Sequence, residues 1–163
     1  MKLIEIKDQF VMDVGAPCPL LIADDGDLRL IFYSDDENQT ELGQRDNIYD
    51  QGTIELKFIR HSFFSFSPPN DEALNGHPYY ELGLGHYSFY ELLDSDLIAK
   101  ISTYGRHHHF YNPKAYEKSH HYIITFKEQL FECVAHSFEV YKCNDAIYDQ
   151  GLQALNQLYK DKR

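Results

Sequence analysis

Period-two alternation of apolar and polar side chains runs through much of this chain and predicts strands. Leu28, Leu30 and Phe32 fall on one face of an arm from Leu28 to Tyr33. A second arm, Pro19 to Ala23 with apolar Leu20, Leu21 and Ile22, precedes it. The Asp-Gly step in Asp24-Asp25-Gly26-Asp27 between them is a strong hairpin signal. Thr53 to Phe66 is the longest extended segment, with Ile54, Leu56 and Phe58 alternating against Glu55, Lys57 and Ile59. After Arg60-His61 the pattern thickens to Phe63-Phe64-Ser65-Phe66, which predicts a bulge or a strand that changes sheet. Pro68-Pro69 ends the segment, because neither proline can donate to a ladder. Tyr87 to Leu92 is another extended piece, and Ser34 to Gly52 reads as a long acidic loop.

Helical patterning is scarcer. Asp94 or Ser95 can cap a short helix through Asp96 to Ile101, closed by Gly105. Asn112 before Pro113 starts one turn through Tyr116. A last helix should run from a cap at Asn144 to about Tyr159. Ile147, Tyr148, Leu152, Leu155 and Tyr159 form the stripe expected to pack on a sheet. These elements give an α+β fold built mainly on antiparallel sheet, sandwich-like or strongly curved, with the C-terminal amphipathic helix packed on it. With no repeat and no low-complexity linker, residues 1–163 are expected to form a single globular domain.

The hairpin from His121 to Lys127 and Leu130 to His136 carries the most chemistry. A turn at Glu128-Gln129 pairs residues whose numbers sum to 257, so His121 faces His136. One face is then Tyr122, Ile124 and Phe126 with Phe131, Cys133 and Ala135, apolar throughout. The other is half polar: His121, Ile123 and Thr125 with Glu132, Val134 and His136. Opposed imidazoles can hold a divalent metal or shuttle a proton. Glu132, four residues from His136, cannot join it directly. The natural further ligands are His107 and His109, with His77 and His86 in reserve. The double-stranded β-helix metal motif puts a Glu about four residues after such a pair, whereas Pro113 and Lys114 stand here. The plainer reading is a pair of half-buried aromatics bonded to their neighbours, and no cofactor is then needed.

Composition sharpens this picture in one respect. The 163 residues carry a formal net charge of -11. Residues 1–81 hold 16 Asp and Glu against 6 Lys and Arg, while residues 82–163 hold 10 against 9. Such a chain is a poor partner for nucleic acid or an anionic membrane, both of which reward Lys and Arg. Asp35, Asp36 and Glu37 in the acidic loop suit a basic protein partner, which they would steer inward, or simply a solvated surface. No calcium-loop spacing occurs. The first residues form no apolar leader, no run reaches membrane-spanning length, and the three cysteines fit no paired spacing. A cytoplasmic setting with free thiols is expected.

Tyr79, Tyr80 and Tyr87 lie in a glycine-, histidine- and tyrosine-rich stretch, read as a loop over the sheet or as a partner-binding edge. No nucleophile elbow, phosphate loop or dinucleotide fingerprint is present. Asn70-Asp71-Glu72-Ala73, Gly76-His77-Pro78 before Tyr80, and Ser88-Phe89-Tyr90-Glu91 resemble segments of a family of small, uncharacterised bacterial proteins. So do His121-Tyr122-Ile123 before Phe126, and Phe131-Glu132-Cys133 before Ala135. The resemblance implies a bacterial cytosolic domain and no particular chemistry. The expected function is a non-enzymatic acidic interaction module, by analogy an immunity-type inhibitor of a basic protein. The alternative is a small metal- or histidine-dependent enzyme whose histidines converge. Oligomeric state stays open.

Overall fold

The computed structural model describes residues 1–35 and 52–161. These residues form an α+β fold with two antiparallel sheets, a few short helices and a C-terminal helix. They divide into two compact units, one of 1–7 and 60–137, the other of 8–59 and 138–163.

In the first unit the strands are β1 (Lys2–Glu5), β5 (Phe63–Ser67), β6 (Phe89–Leu93), β7 (His120–Thr125) and β8 (Leu130–Ala135), in the order β1-β6-β7-β8-β5. Helix α1 (Asp96–Tyr104) starts where expected. The Ser95 side chain caps it by accepting from the Leu97 N–H, and Gly105 follows its last residue. Asn112 caps the short 3-10 turn Pro113–Tyr116 in the same way. β1 is an addition to the sequence reading, pairing with β6 from Lys2–Leu93 to Glu5–Tyr90.

The β7–β8 register corrects the expected one. His121 pairs with Val134 and Ile123 with Glu132, so the residue numbers sum to 255 rather than 257. Phe126 N–H donates to the Gln129 carbonyl, which draws Phe126 into the connection. A slip of two leaves every side chain on its expected face, because strand faces alternate with period two. It changes only the partner across the ladder. Most of the half-polar face is buried too, since Leu74 and Leu84 from the 70–86 loop pack over Ile123 and Leu130, while Glu132 and His136 stay half-buried. That loop does lie over the sheet.

In the second unit β2 (Leu20–Ala23), β3 (Leu28–Tyr33), β4 (Thr53–Ile59) and β9 (Ser137–Cys143) are ordered β2-β3-β4-β9. The Asp24–Asp27 turn closes the predicted hairpin, with Asp24 Oδ1 accepting from the N–H groups of Gly26 and Asp27. The segment from Thr53 does change sheet. β4 ends at Ile59, Arg60 takes a positive φ of 53°, and β5 opens in the other sheet. Leu28, Leu30 and Phe32 pair across with Phe58, Leu56 and Ile54, all buried.

Helix α2 (Ile147–Asp161) packs on the opposite face of this sheet, but through a different stripe from the one expected. Ile147, Gly151, Ala154 and Leu158 meet Leu20, Ile22, Ile31 and Tyr33. Tyr148, Leu152, Leu155 and Tyr159 stay exposed. The small residues won because they let the helix approach the sheet closely: a Cβ on Gly151 would lie 2.6 Å from Leu20 Cδ2.

Candidate functional site

Burial and backbone geometry place one cluster of titratable groups in the first unit. His121 on β7 has no solvent exposure, and its Nδ1 lies 2.8 Å from Ser95 Oγ, the capping atom of α1. The two-residue change of register sets Glu132 on β8 diagonally across from it, with Oε1 3.9 Å from His121 Nε2. His77 follows the 3-10 turn Asp71–Gly76, which Asn70 caps. It brings its own Nε2 within 3.8 Å of the same Glu132 oxygen. The Tyr79 ring covers the group edge-on, 5.1 Å from His77 and 6.1 Å from His121 between ring centres.

Two imidazole Nε2 atoms therefore face one carboxylate oxygen, both beyond hydrogen-bonding distance. His121 Nε2 is buried without a hydrogen-bond partner. Burial pushes His121 down to about 4, helped by nearby His77, and lowers His77 as well. The same burial raises the Glu132 carboxyl. At neutral pH both rings are uncharged. The Tyr79 N–H donates to His77 Nδ1 at 3.3 Å, so neutral His77 carries its proton on Nε2, toward Glu132. A ring protonated there has no lone pair to offer a metal. Among the described residues, no three His, Cys, Asp or Glu side chains form a metal-holding group. The arrangement is able to share protons between two neutral rings and one carboxyl, and it ties α1, β7, β8 and the 70–86 loop together.

The residues singled out by sequence are distributed otherwise. His107 and His109 lie exposed in the turn after α1, remote in burial from His121, and His136 is half-buried between β8 and β9. The structure does not bring His107, His109 and His136 into the cluster. His77 joins it, and so does Glu132. The signal for Glu132 was its place on the same strand face as His121, obscured by the assumed register. Tyr87 donates to Asp71 Oδ2 at 2.6 Å, a bond that pushes the phenol up to about 12 and holds Asp71 down. Tyr80 is exposed and Tyr79 half-buried. Asp35 is half-buried, its N–H bonded to the Val11 carbonyl; Asp36 and Glu37 lie outside the described residues.

The second unit holds a polar cleft of about 420 Å³ lined by Arg29, Glu55, Lys57, Tyr141, Cys143 and Gln150 among others. Its floor is a buried ion-pair network. Arg29 donates to Asp27 at 2.7 Å, to Glu55 at 2.8 Å and to Gln157 at 2.9 Å, while Gln150 donates to the other Glu55 oxygen. Burial opposes the Arg29 charge, but the hydrogen bonds and charges of Asp27 and Glu55 outweigh it and hold the guanidinium above its ordinary value. Comparison with protein-family models, curated proteins and solved structures finds no match to this chain. No described helix is long and apolar enough to cross a membrane.

Proposed function

We propose that the chain is a non-enzymatic interaction module that docks a basic protein partner. The observation that carries this reading is where the cations of the acidic half go. Arg29 is buried between Asp27 and Glu55, Lys57 lies 3.8 Å from Asp27, and Lys7 lies 3.2 Å from Glu5. These three of the six Lys and Arg in residues 1–81 are engaged by neighbouring carboxylates, and the 16 Asp and Glu of that stretch leave it a net surplus of acid. The buried histidine cluster fits this reading as a brace between elements, because His121 has no exposed atom and its Nδ1 is held at a helix cap.

A lysine-rich synthetic peptide is the probe. Its association rate should fall at least tenfold as salt is raised from about 20 to about 300 mM, the signature of steering by opposite charge. The variant Asp35→Asn/Asp36→Asn/Glu37→Gln should bind several-fold more weakly at low salt. Equal affinity for variant and parent would remove this segment from the docking surface.

A further inference from the structure

We propose that the chain pairs with a second copy of itself through the open edge of β2 and the outer apolar stripe of α2. Among the described residues β2 is the terminal strand of its sheet. Asp24 N–H donates to the Asp27 carbonyl, so 24 and 27 are a hydrogen-bonded pair. Alternation then makes Ile22–Arg29 and Leu20–Ile31 hydrogen-bonded pairs too, and turns the N–H and C=O of Leu21 and Ala23 to the open side.

Helix geometry shows which way the outer stripe of α2 points. Gln150 and Gln157 reach Glu55 and Arg29, so the flank of α2 carrying them faces β4. Tyr148, Leu152, Leu155 and Tyr159 are each two positions beyond 146, 150, 153 and 157, which is about 200° around the helix. They lie on the other flank, toward β2. Leu20 to Ala23 form one wall of a groove of about 570 Å³, and Tyr148, Leu152 and Leu155 line the other. A strand added to β2 would lie beneath this stripe, as β2 itself lies beneath Gly151 and Ala154.

Three features favour a second copy as the occupant. All eight residues lining the groove are uncharged, in the manner of homodimer interfaces, whose centres are depleted in charge. Tyr148, Leu152, Leu155 and Tyr159 are 75, 60, 50 and 60% exposed. At roughly 200 Å² for a whole tyrosine and somewhat less for leucine, they present on the order of 500 Å². That matches the largest patches monomers expose and supplies most of the ~800 Å² per partner of a standard interface. Half-buried Leu20 and Leu21 and exposed Ala23 add to it. The edge is also self-complementary. With Leu21 opposite Ala23 of the second copy, Ile22 meets Ile22, Asp24 faces Leu20, and no acid faces an acid. Pro19, which has no N–H, ends the ladder.

Sedimentation equilibrium from about 1 to about 200 µM tests the pairing. Dimer is expected, with a larger dimer fraction at about 500 mM than at about 20 mM salt, because screening relieves the repulsion of two negative chains. Leu155→Glu should give a folded monomer. So should Leu21→Pro, whose lost N–H points away from β3 and leaves the β2–β3 ladder intact. A parent chain that stays monomeric at the highest concentration would overturn the proposal and leave the groove to a different polypeptide. A dimer that survives both substitutions would overturn it as well, by placing the interface elsewhere. The salt response separates this pairing from the basic-partner reading, whose affinity moves in the opposite direction.

Discussion

His121 ties three elements together with one imidazole: it belongs to β7, meets the cap of α1 through Nδ1, and turns Nε2 toward Glu132 on β8. Removing the hydroxyl it meets is therefore costly. Ser95→Ala loses the helix cap to Leu97, typically ~1 kcal/mol, and orphans a fully buried ring nitrogen, about 1–3 kcal/mol more. Urea unfolding should show a loss of about 2–4 kcal/mol; one below about 1 kcal/mol would mean His121 does not depend on that bond. The cluster also predicts a pH dependence. His121 titrates at about 4 in the fold against ~6.5 unfolded, so its stabilisation is complete above ~6.5 and is lost as pH falls toward about 4. Between about pH 7 and about pH 5 this amounts to roughly 2 kcal/mol. Glu132, raised by burial, works in the opposite sense and offsets part of it. The difference between the parent chain and His121→Asn isolates the histidine share, and identical pH profiles for the two would refute it. Sequence spacing placed His121 and Glu132 on one strand face but assigned His136 as partner, since the connection that sets register gives no strong turn signal at Glu128-Gln129.

At the scale of elements, α2 shows how a helical stripe is misread. Two apolar stripes run side by side along it, one of Ile147, Gly151, Ala154 and Leu158, the other of larger side chains. Hydrophobicity alone selects the larger ones. Close approach to Ile22, Ile31 and Tyr33 selects the smaller. Substitutions on adjacent residues should separate the two. Ala154→Leu overpacks the sheet contact and should cost about 1–3 kcal/mol, whereas Leu155→Gln should change stability by under about 0.5 kcal/mol. Chemical unfolding at sub-micromolar concentration, where pairing with a second copy contributes little, is the measurement. Equal effects at both positions would contradict the packing described. Elements marked by local rules came out as read: the Asp-Gly hairpin, the Ser95 and Asn112 caps, and the break at Arg60-His61 where the chain leaves one sheet for the other. β9 went unread because Ser137–Cys143 continues the residues of β8 with no turn signal between them.

At the scale of the whole molecule, the net charge of -11 is a destabilising self-repulsion as well as a steering field. Raising salt from about 20 to about 300 mM should raise the urea midpoint, because screening acts across the ~10 Å and longer separations of surface carboxylates. A midpoint that falls instead would mean that attractive pairs such as Lys7–Glu5 dominate the surface. By itself the amino-acid order determined the fold class, the hairpin, the Ser95 and Asn112 caps though not one at Asn144, the faces of the strands and the acidic imbalance. Each of these follows from local periodicity, from a single capping or turn residue, or from a sum over composition. Only the tertiary structure decided the register of β7 with β8, the partnership of His77, Glu132 and His121, the depth of Arg29 and the stripe by which α2 docks. Those depend on which surfaces approach closely enough to exclude water. That outcome rests on side-chain volume and register summed across segments far apart in the chain.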